Sequence, residues 1–163
     1  MRLVLVLFLT GLAACSSSSE EDAAQRARDV AEVRANQTPP PEQLAPEPIL
    51  YPDIEQNDLF GAGCNFVAEG AGMGAIALAQ RDEGYMKRSG KILTFAADKG
   101  STQQPLGSWR KYDGKEYGFV LDLENGSEEQ AGIETVNVPA RLTVRDGRGQ
   151  TVFESRGTAQ CGS

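Results

Sequence analysis

The side chains best suited to covalent chemistry in this chain are its three cysteines, Cys15, Cys64 and Cys161. A cysteine thiolate is a nucleophile that can be acylated, or oxidised to a disulfide with a second cysteine. The 163 residues contain no histidine, which excludes a Ser-His-Asp triad, a Cys-His nucleophile pair and a His-ligated metal. What each cysteine does therefore depends on its surroundings in the sequence.

Cys15 closes an N-terminal segment that is typical of an export signal. Arg2 supplies a positive charge, an apolar run covers residues 3–12, and Ala13 and Ala14 are small residues of the kind found before a cleavage site. The run is shorter than the roughly 20 residues that span a bilayer. Leu12-Ala13-Ala14-Cys15 resembles the lipobox of bacterial lipoproteins. An ordinary secretory signal, with Cys15 as a bystander, is the alternative.

The lipobox resemblance implies both an attachment and a location. Residues 1–14 would be the signal peptide, and Cys15 would become the first residue and carry acyl chains such as palmitate. Two or more chains hold a protein stably on a membrane. In Gram-negative lipoproteins an Asp after the lipidated cysteine favours the inner membrane, and here that residue is Ser16. We therefore expect a lipid-anchored protein of the cell envelope, on the outer membrane and facing the periplasm.

Cys64 and Cys161 then remain for the folded part of the chain. An even pair of cysteines in an oxidising compartment predicts a disulfide, here between the beginning and the end of one domain. Two free buried thiols are the alternative, and a metal site built on two cysteines alone is less favoured. We expect neither a metal nor a cofactor.

Residues 15–58 have the composition of a tether. They carry ten acidic and three basic side chains and most of the prolines. The Ala-, Glu- and Arg-rich range 20–35 predicts a weak helix. Proline disfavours helix over 36–52, which predicts an extended, solvated spacer; a docking segment for an envelope partner is the alternative.

Residues 59–163 have the pattern of a β domain. Short apolar segments, several with period-two alternation, are separated by turn dipeptides such as Ser89-Gly90 and Asp113-Gly114. Strands are predicted at 64–68, 75–80, 91–96, 117–123, 140–145 and 150–155. The expected fold is mostly β, a small antiparallel sandwich or barrel of about six to eight strands.

Two groups of basic and aromatic residues are candidates for binding a partner. They are Trp109, Arg110, Lys111 and Tyr112, and, earlier in the chain, Tyr85 and Arg88. Trp, Tyr and Arg dominate binding hot spots, so an envelope protein or a glycan is the expected partner. Ordinary strand-edge packing is the alternative. The net charge of −7 argues against nucleic acid as the partner.

Two further patterns are weak. Gly70-Ala71-Gly72-Met73-Gly74-Ala75 matches the letters of a dinucleotide-binding fingerprint, but the turn predicted at 82–84 leaves little room for the helix that such a site requires. Carboxylates around Gly126 (Asp122, Glu124, Glu128 and Glu129, with Asn125) could ligate calcium, but their spacing misses the EF-hand pattern. A hairpin loop and a solvated acidic loop are the favoured interpretations.

In outline, a disulfide-closed β domain on a lipid anchor is similar to the periplasmic C-type lysozyme inhibitors. Those proteins carry a Ser-Gly-x-x-Tyr loop, and this chain has Ser89-Gly90-Lys91-Ile92-Leu93, with Leu93 in place of the tyrosine. We therefore expect a non-enzymatic structural or binding module without catalytic residues. The alternatives are an inhibitor of a cell-wall-degrading enzyme and, less favoured, a small hydrolase with two close carboxylates.

Overall fold

The computed structural model describes residues 17–37, 40–124, 126 and 128–163, which divide into two compact units, one ending at Pro40 and the next beginning at Pro41. The first unit contains helix α1 (Ser17–Gln37), which includes the range 20–35 in which the sequence predicts a helix. Val30 and Val33 are about half exposed there, at 50% and 53%. The predicted signal peptide 1–14 and Cys15 lie outside the described residues.

The second unit, Pro41–Ser163, is built almost entirely of antiparallel strands. A short helix, α2 (Tyr51–Asn57), precedes them, and a single 3-10 turn (Pro105–Gly107) lies between the fourth and fifth strands. The strands are β1 (Gly63–Ala68), β2 (Ala77–Gln80), β3 (Glu83–Arg88), β4 (Lys91–Ala97), β5 (Lys111–Asp113), β6 (Tyr117–Leu123), β7 (Glu129–Gln130), β8 (Val136–Asp146) and β9 (Thr151–Gly162).

Eight of these strands close into a barrel. Each pairs with its neighbour in the order β1-β2-β3-β4-β5-β6-β8-β9, and β9 returns to pair with β1. The two-residue β7 pairs only with β8 and lies outside this ring. The predicted fold class, a small antiparallel β structure, is confirmed and resolved as a barrel. Strands β3 and β5, which the sequence analysis did not predict, complete it.

The predicted disulfide lies at the seam of the barrel and is confirmed. Cys64 of β1 and Cys161 of β9 stand directly opposite each other, with 4.0 Å between their Cα atoms and 97 positions between them in the sequence. Both are buried. The bond therefore joins the first and last strands at the place where the barrel closes. We call this end, where β1 begins and β9 ends, the disulfide end.

Side chains fill the interior of the barrel. The ring of Phe119 stacks on Tyr112 at 4.7 Å between centroids and meets Phe95 edge-on at 5.1 Å. Gly84 faces them from β3, where a Cβ atom would come within 2.6 Å of the Phe119 ring, so only glycine leaves room for these rings. The close packing makes the barrel a solid core. The other buried side chains of this cluster include Phe66, Met86, Leu121, Leu142, Val144 and Val152.

Residues 41–58 belong to the barrel unit and are not a free spacer. Leu44 is buried in the barrel core and donates its backbone N–H to Val152 at the start of β9 (2.9 Å), so it closes the end opposite the disulfide. Ile49 pairs with Ala75 and is buried on the outer face of the sheet. The compact unit thus begins at Pro41 instead of the predicted Leu59.

A few apolar side chains explain why this proline-rich segment packs against the barrel. Ile49 and Leu59 are 3% and 5% exposed and cover Leu78, which points outward from β2. Burial of such a side chain contributes roughly 1.5–3 kcal/mol. Pro41, Pro46 and Pro48 disfavour regular helix and sheet but allow an extended path across a surface, whereas Pro52 lies in the first turn of α2, where proline is tolerated. The prediction of a solvated spacer over 36–52 is therefore wrong for the part from Pro41 onward.

Candidate functional site

Tyr112, a predicted partner contact, lies inside the barrel. Its side chain is fully buried, its hydroxyl donates to the carbonyl of Gln80 (2.6 Å), and the same oxygen accepts from the backbone N–H of Trp109 (2.9 Å). Burial raises the pKa of this hydroxyl to about 12, so it stays protonated at neutral pH. The prediction that Tyr112 contacts a partner is therefore wrong: on the three-residue strand β5 it is the inward-pointing side chain.

We expect Tyr112→Phe to lower the free energy of unfolding by about 1–3 kcal/mol, because it leaves a partly buried carbonyl and a partly buried N–H without the hydroxyl. Urea unfolding monitored by circular dichroism measures the change. Tyr51→Phe is the matched control, since Tyr51 is 65% exposed and should change stability little. Equal midpoints for the two variants would show that the Tyr112 hydroxyl contributes nothing.

The residues around Tyr112 are engaged in contacts within the chain. Trp109 is partly buried and donates its indole N–H to the carbonyl of Arg81 (3.0 Å). The exposed Arg110 pairs with Asp122 across the strands. Lys111 lies between Asp98 (3.2 Å) and Asp113 (2.8 Å), whose hydrogen bonds raise its pKa, with Asp113 contributing most. The structure does not combine these side chains into one open binding face.

The second predicted group, around Tyr85 and Arg88 on β3, holds the segment 41–58. Arg88 donates to the hydroxyl of Tyr117 (2.7 Å) and pairs with Glu42 (3.3 Å). Tyr85 packs with the outer cluster of Ile49 and Leu59, and its hydroxyl donates to Glu83 (2.6 Å). Burial is the main cause that raises the pKa of Tyr85 to about 12, and the hydrogen bond to the Glu83 carboxylate is the next. The basic and aromatic pattern therefore serves an intramolecular contact.

Lys87, which the sequence analysis did not single out, makes the closest charged contact to this segment. Its ammonium lies 2.6 Å from Asp53 of α2, and both side chains are only about one fifth exposed, at 18% and 20%. The hydrogen bond from Lys87, and next that from the Leu50 backbone, hold the pKa of Asp53 below its ordinary value of 3.8. The backbone of Lys87 also accepts from the N–H of Glu47 (2.8 Å).

We expect Lys87→Ala to loosen the segment, with lower hydrogen-exchange protection at the amides of Glu47 and Ile49. Lowering the pH should loosen the segment as well. The pKa of Asp53 is lowered in the folded state, so the contribution of its charge is complete above about pH 4 and is lost as the pH falls through that lower pKa.

Lys99→Ala is the matched control for this prediction, because it removes a surface ion pair with Asp82 (2.7 Å) at the other end of β3. It should leave the protection of Glu47 and Ile49 unchanged. Unchanged protection in Lys87→Ala as well would mean that apolar packing alone holds the segment.

Two of the surface grooves on the barrel border strand β4. The larger has a volume of about 640 Å³ and lies beside the β2–β3 turn, where Arg81, Asp82, Tyr85, Lys99 and Leu106 are among its lining residues. The smaller, of about 280 Å³, lies between β4 and the turn that joins β5 to β6. Because side chains fill the interior, these grooves lie on the outer surface of the barrel.

The two weak sequence patterns carry no site among the described residues. Gly70, Gly72 and Gly74 have positive φ in the loop between β1 and β2, as the favoured hairpin interpretation expects, and Met73 is 90% exposed there. Within the described residues no three Cys, Asp or Glu side chains form a group that could hold a metal ion, and Asn125 lies outside them. In the described part of the chain, no helix has the length and apolarity needed to cross a bilayer.

Comparison with known proteins gave no match, whether by family model, by curated sequence or by solved structure. The function is therefore inferred from the residues and geometry of the chain itself.

Proposed function

We propose that this chain is a lipid-anchored protein of the bacterial cell envelope that presents its barrel as a non-enzymatic binding module. Cys15 carries the acyl chains, and the mature protein stands on the outer membrane with its barrel in the periplasm. The sequence Leu12-Ala13-Ala14-Cys15 supports the anchor, and Ser16 supports the outer membrane. An envelope protein or glycan is the partner.

The disulfide at the barrel seam supports the proposed location in the periplasm. Structural disulfides form and persist in oxidising compartments such as the bacterial periplasm. Cys64 and Cys161 are paired in the fold, which leaves Cys15 as the cysteine available for acylation. One disulfide and one further cysteine for acylation agree with an exported lipoprotein.

The filled interior of the barrel is the observation that carries the binding role. Phe66, Phe95, Tyr112 and Phe119 occupy the space in which a hollow barrel would hold a small molecule. Recognition is then a matter of the outer surface, where the grooves lie and where a macromolecular partner has access.

Fractionation of host membranes tests the anchor and its location. The unchanged chain should sediment with the outer membrane, Ser16→Asp with the inner membrane, and Cys15→Ser with neither. Ser18→Ala is the matched control in the same segment and should behave as the unchanged chain. Cys15→Ser that stays membrane-bound as the unchanged chain does would overturn the anchor.

An inhibitor of a cell-wall-degrading enzyme is the second candidate, favoured by one surface. The connection between β6 and β8 carries Glu124, Glu128, Glu129 and Glu134 and no basic residue. Glu128 and Glu134 border an apolar cleft of about 190 Å³ at the disulfide end, a surface complementary to a cationic protein. A lysozyme assay separates the candidates: near-stoichiometric loss of activity supports the inhibitor, and no effect supports the module.

A further inference from the structure

The shortest ladder in the ring of eight strands lies between β4 and β5. Strand β4 has seven residues and pairs with β3 along six of them, from Lys91 to Ala96. Its pairing with β5 covers only Ala96 and Ala97, because β5 has three residues. Within the described chain, residues 91–95 of β4 thus have a strand on one side only and form an open edge.

The backbone groups that this edge exposes follow from the alternation of an antiparallel ladder. The N–H of Ala97 donates toward the β3 side, to Asp82 (3.0 Å), and that of Asp98 donates toward β5, to Lys111 (2.9 Å). Neighbouring residues of a strand point their backbone groups in opposite directions. Ile92 and Thr94 therefore direct theirs away from β3, and no residue in the described chain pairs with them there.

The smaller groove runs along this edge. Four consecutive residues of β4, 92–95, line one wall, and residues 114–117 line the other. Side chains of a strand alternate between its two faces, so four residues in a row border a single cleft only along the strand's edge. The groove of about 280 Å³ therefore gives access to the free backbone groups.

Apolar side chains line the groove together with one charge of each sign. Leu93, Phe95 and Tyr117 contribute apolar surface to the walls. Lys115 lines the side opposite β4, and Lys91 begins the strand itself. Neither lysine has an ion pair with another described residue, while Glu116 is the carboxylate in the lining.

We propose that the open edge of β4 binds an extended peptide segment of a partner protein, which adds as a strand to the barrel and carries carboxylate side chains. A row of free N–H and C=O groups is satisfied by another extended backbone, which is the mode called β-augmentation. The lysines select an acidic segment. The inference rests on the proposed binding function and specifies its partner.

Selection from a library of random, displayed decapeptides on the immobilised mature protein, residues 15–163, tests the proposal. The selected peptides should alternate apolar residues with Asp or Glu. When added to the protein, they should slow hydrogen exchange at the amides of Ile92 and Thr94. A selection without enrichment, or bound peptides that leave both amides unprotected, would overturn the proposal.

Two substitutions at Thr94 form a test variant and its matched control. Thr94→Pro removes the N–H that faces the groove and leaves the β3–β4 hydrogen bonds intact, a position where strands tolerate proline. It should weaken peptide binding about tenfold, the loss expected for one hydrogen bond. Thr94→Val keeps the N–H and should bind as the unchanged chain does.

Lys115 lies in the turn between β5 and β6, outside the β3–β4 ladder. Lys115→Glu therefore tests the proposal even if Thr94→Pro does not fold. It should also weaken the acidic peptides about tenfold, as the loss of a charged partner predicts. Equal binding by Thr94→Pro, or by Lys115→Glu, contradicts the proposal. Dimers that protect Thr94 without peptide would assign the edge to a second copy. Failure of these tests in a protein that is membrane-anchored leaves the proposed function standing.

Discussion

Removal of the Cys64–Cys161 disulfide, by replacing both cysteines with alanine, is expected to lower the free energy of unfolding by about 4–5 kcal/mol. The bond spans 97 positions of the sequence, so its loss releases a long loop in the unfolded chain. It also joins the two strands whose pairing closes the barrel. The melting temperature should fall by more than about 10 °C.

Urea unfolding of the chain from residue 15, with Cys15→Ser in both proteins, measures the effect without interference from the third thiol. Treatment with a reductant provides the control. It should bring the disulfide-containing protein to the stability of the double variant and leave the double variant unchanged. A double variant within about 1 kcal/mol of the parent would contradict the proposed role of the seam.

Phe119→Ala is expected to cost about 3–5 kcal/mol, because it empties the centre of the barrel. Phe119 is 1% exposed and contacts the rings of both Tyr112 and Phe95. The closely packed interior around Phe119 has little freedom to collapse into the cavity, which places the expected cost toward the upper part of that range.

Phe60→Ala is the matched control for Phe119→Ala. Phe60 is 58% exposed and contacts the ring of Tyr51 at 6.5 Å, so its removal should change stability by less than about 1 kcal/mol. The urea midpoints of the two variants are compared, on condition that the free energy of unfolding has the same slope against urea concentration in both. Similar costs for both would mean that Phe119 is not at the centre of a packed core.

The alternation of apolar and polar residues predicted the strands in which one face is buried. In β6, Phe119 and Leu121 point inward from the segment 117–123, whose bounds the structure reproduces. In β8, Leu142 and Val144 of the predicted strand 140–145 do the same. Here local pattern and tertiary burial agree, so the sequence alone is sufficient.

The strands that the sequence did not reveal lack that pattern. Strand β5 has three residues, too few for a period, and Tyr112 was interpreted with its charged neighbours as a surface group. The second half of β9, from Arg156 onward, alternates polar residues with Gly157 and Ala159, which carry little hydrophobic signal. These segments are strands because of their partners, β6 in the first case and β1 in the second.

The contacts of the segment 41–58 join residues that are far apart in the sequence and meet only in the fold. Lys87 and Asp53 are 34 positions apart, and nothing local indicates that they meet. Leu44 and Ile49 lie in a stretch that is rich in prolines and glutamates, which is also the composition of a spacer. The same holds for the open edge at Ile92 and Thr94, since the length of a neighbouring strand decides it.

Intact-mass measurement of the protein purified from the membranes of its native host decides whether Cys15 anchors the chain. The expected mass is that of a chain that begins at Cys15, carries acyl chains there, and lacks the two thiol hydrogens of Cys64 and Cys161. An unacylated chain that retains residues 1–14 and three free thiols would contradict it.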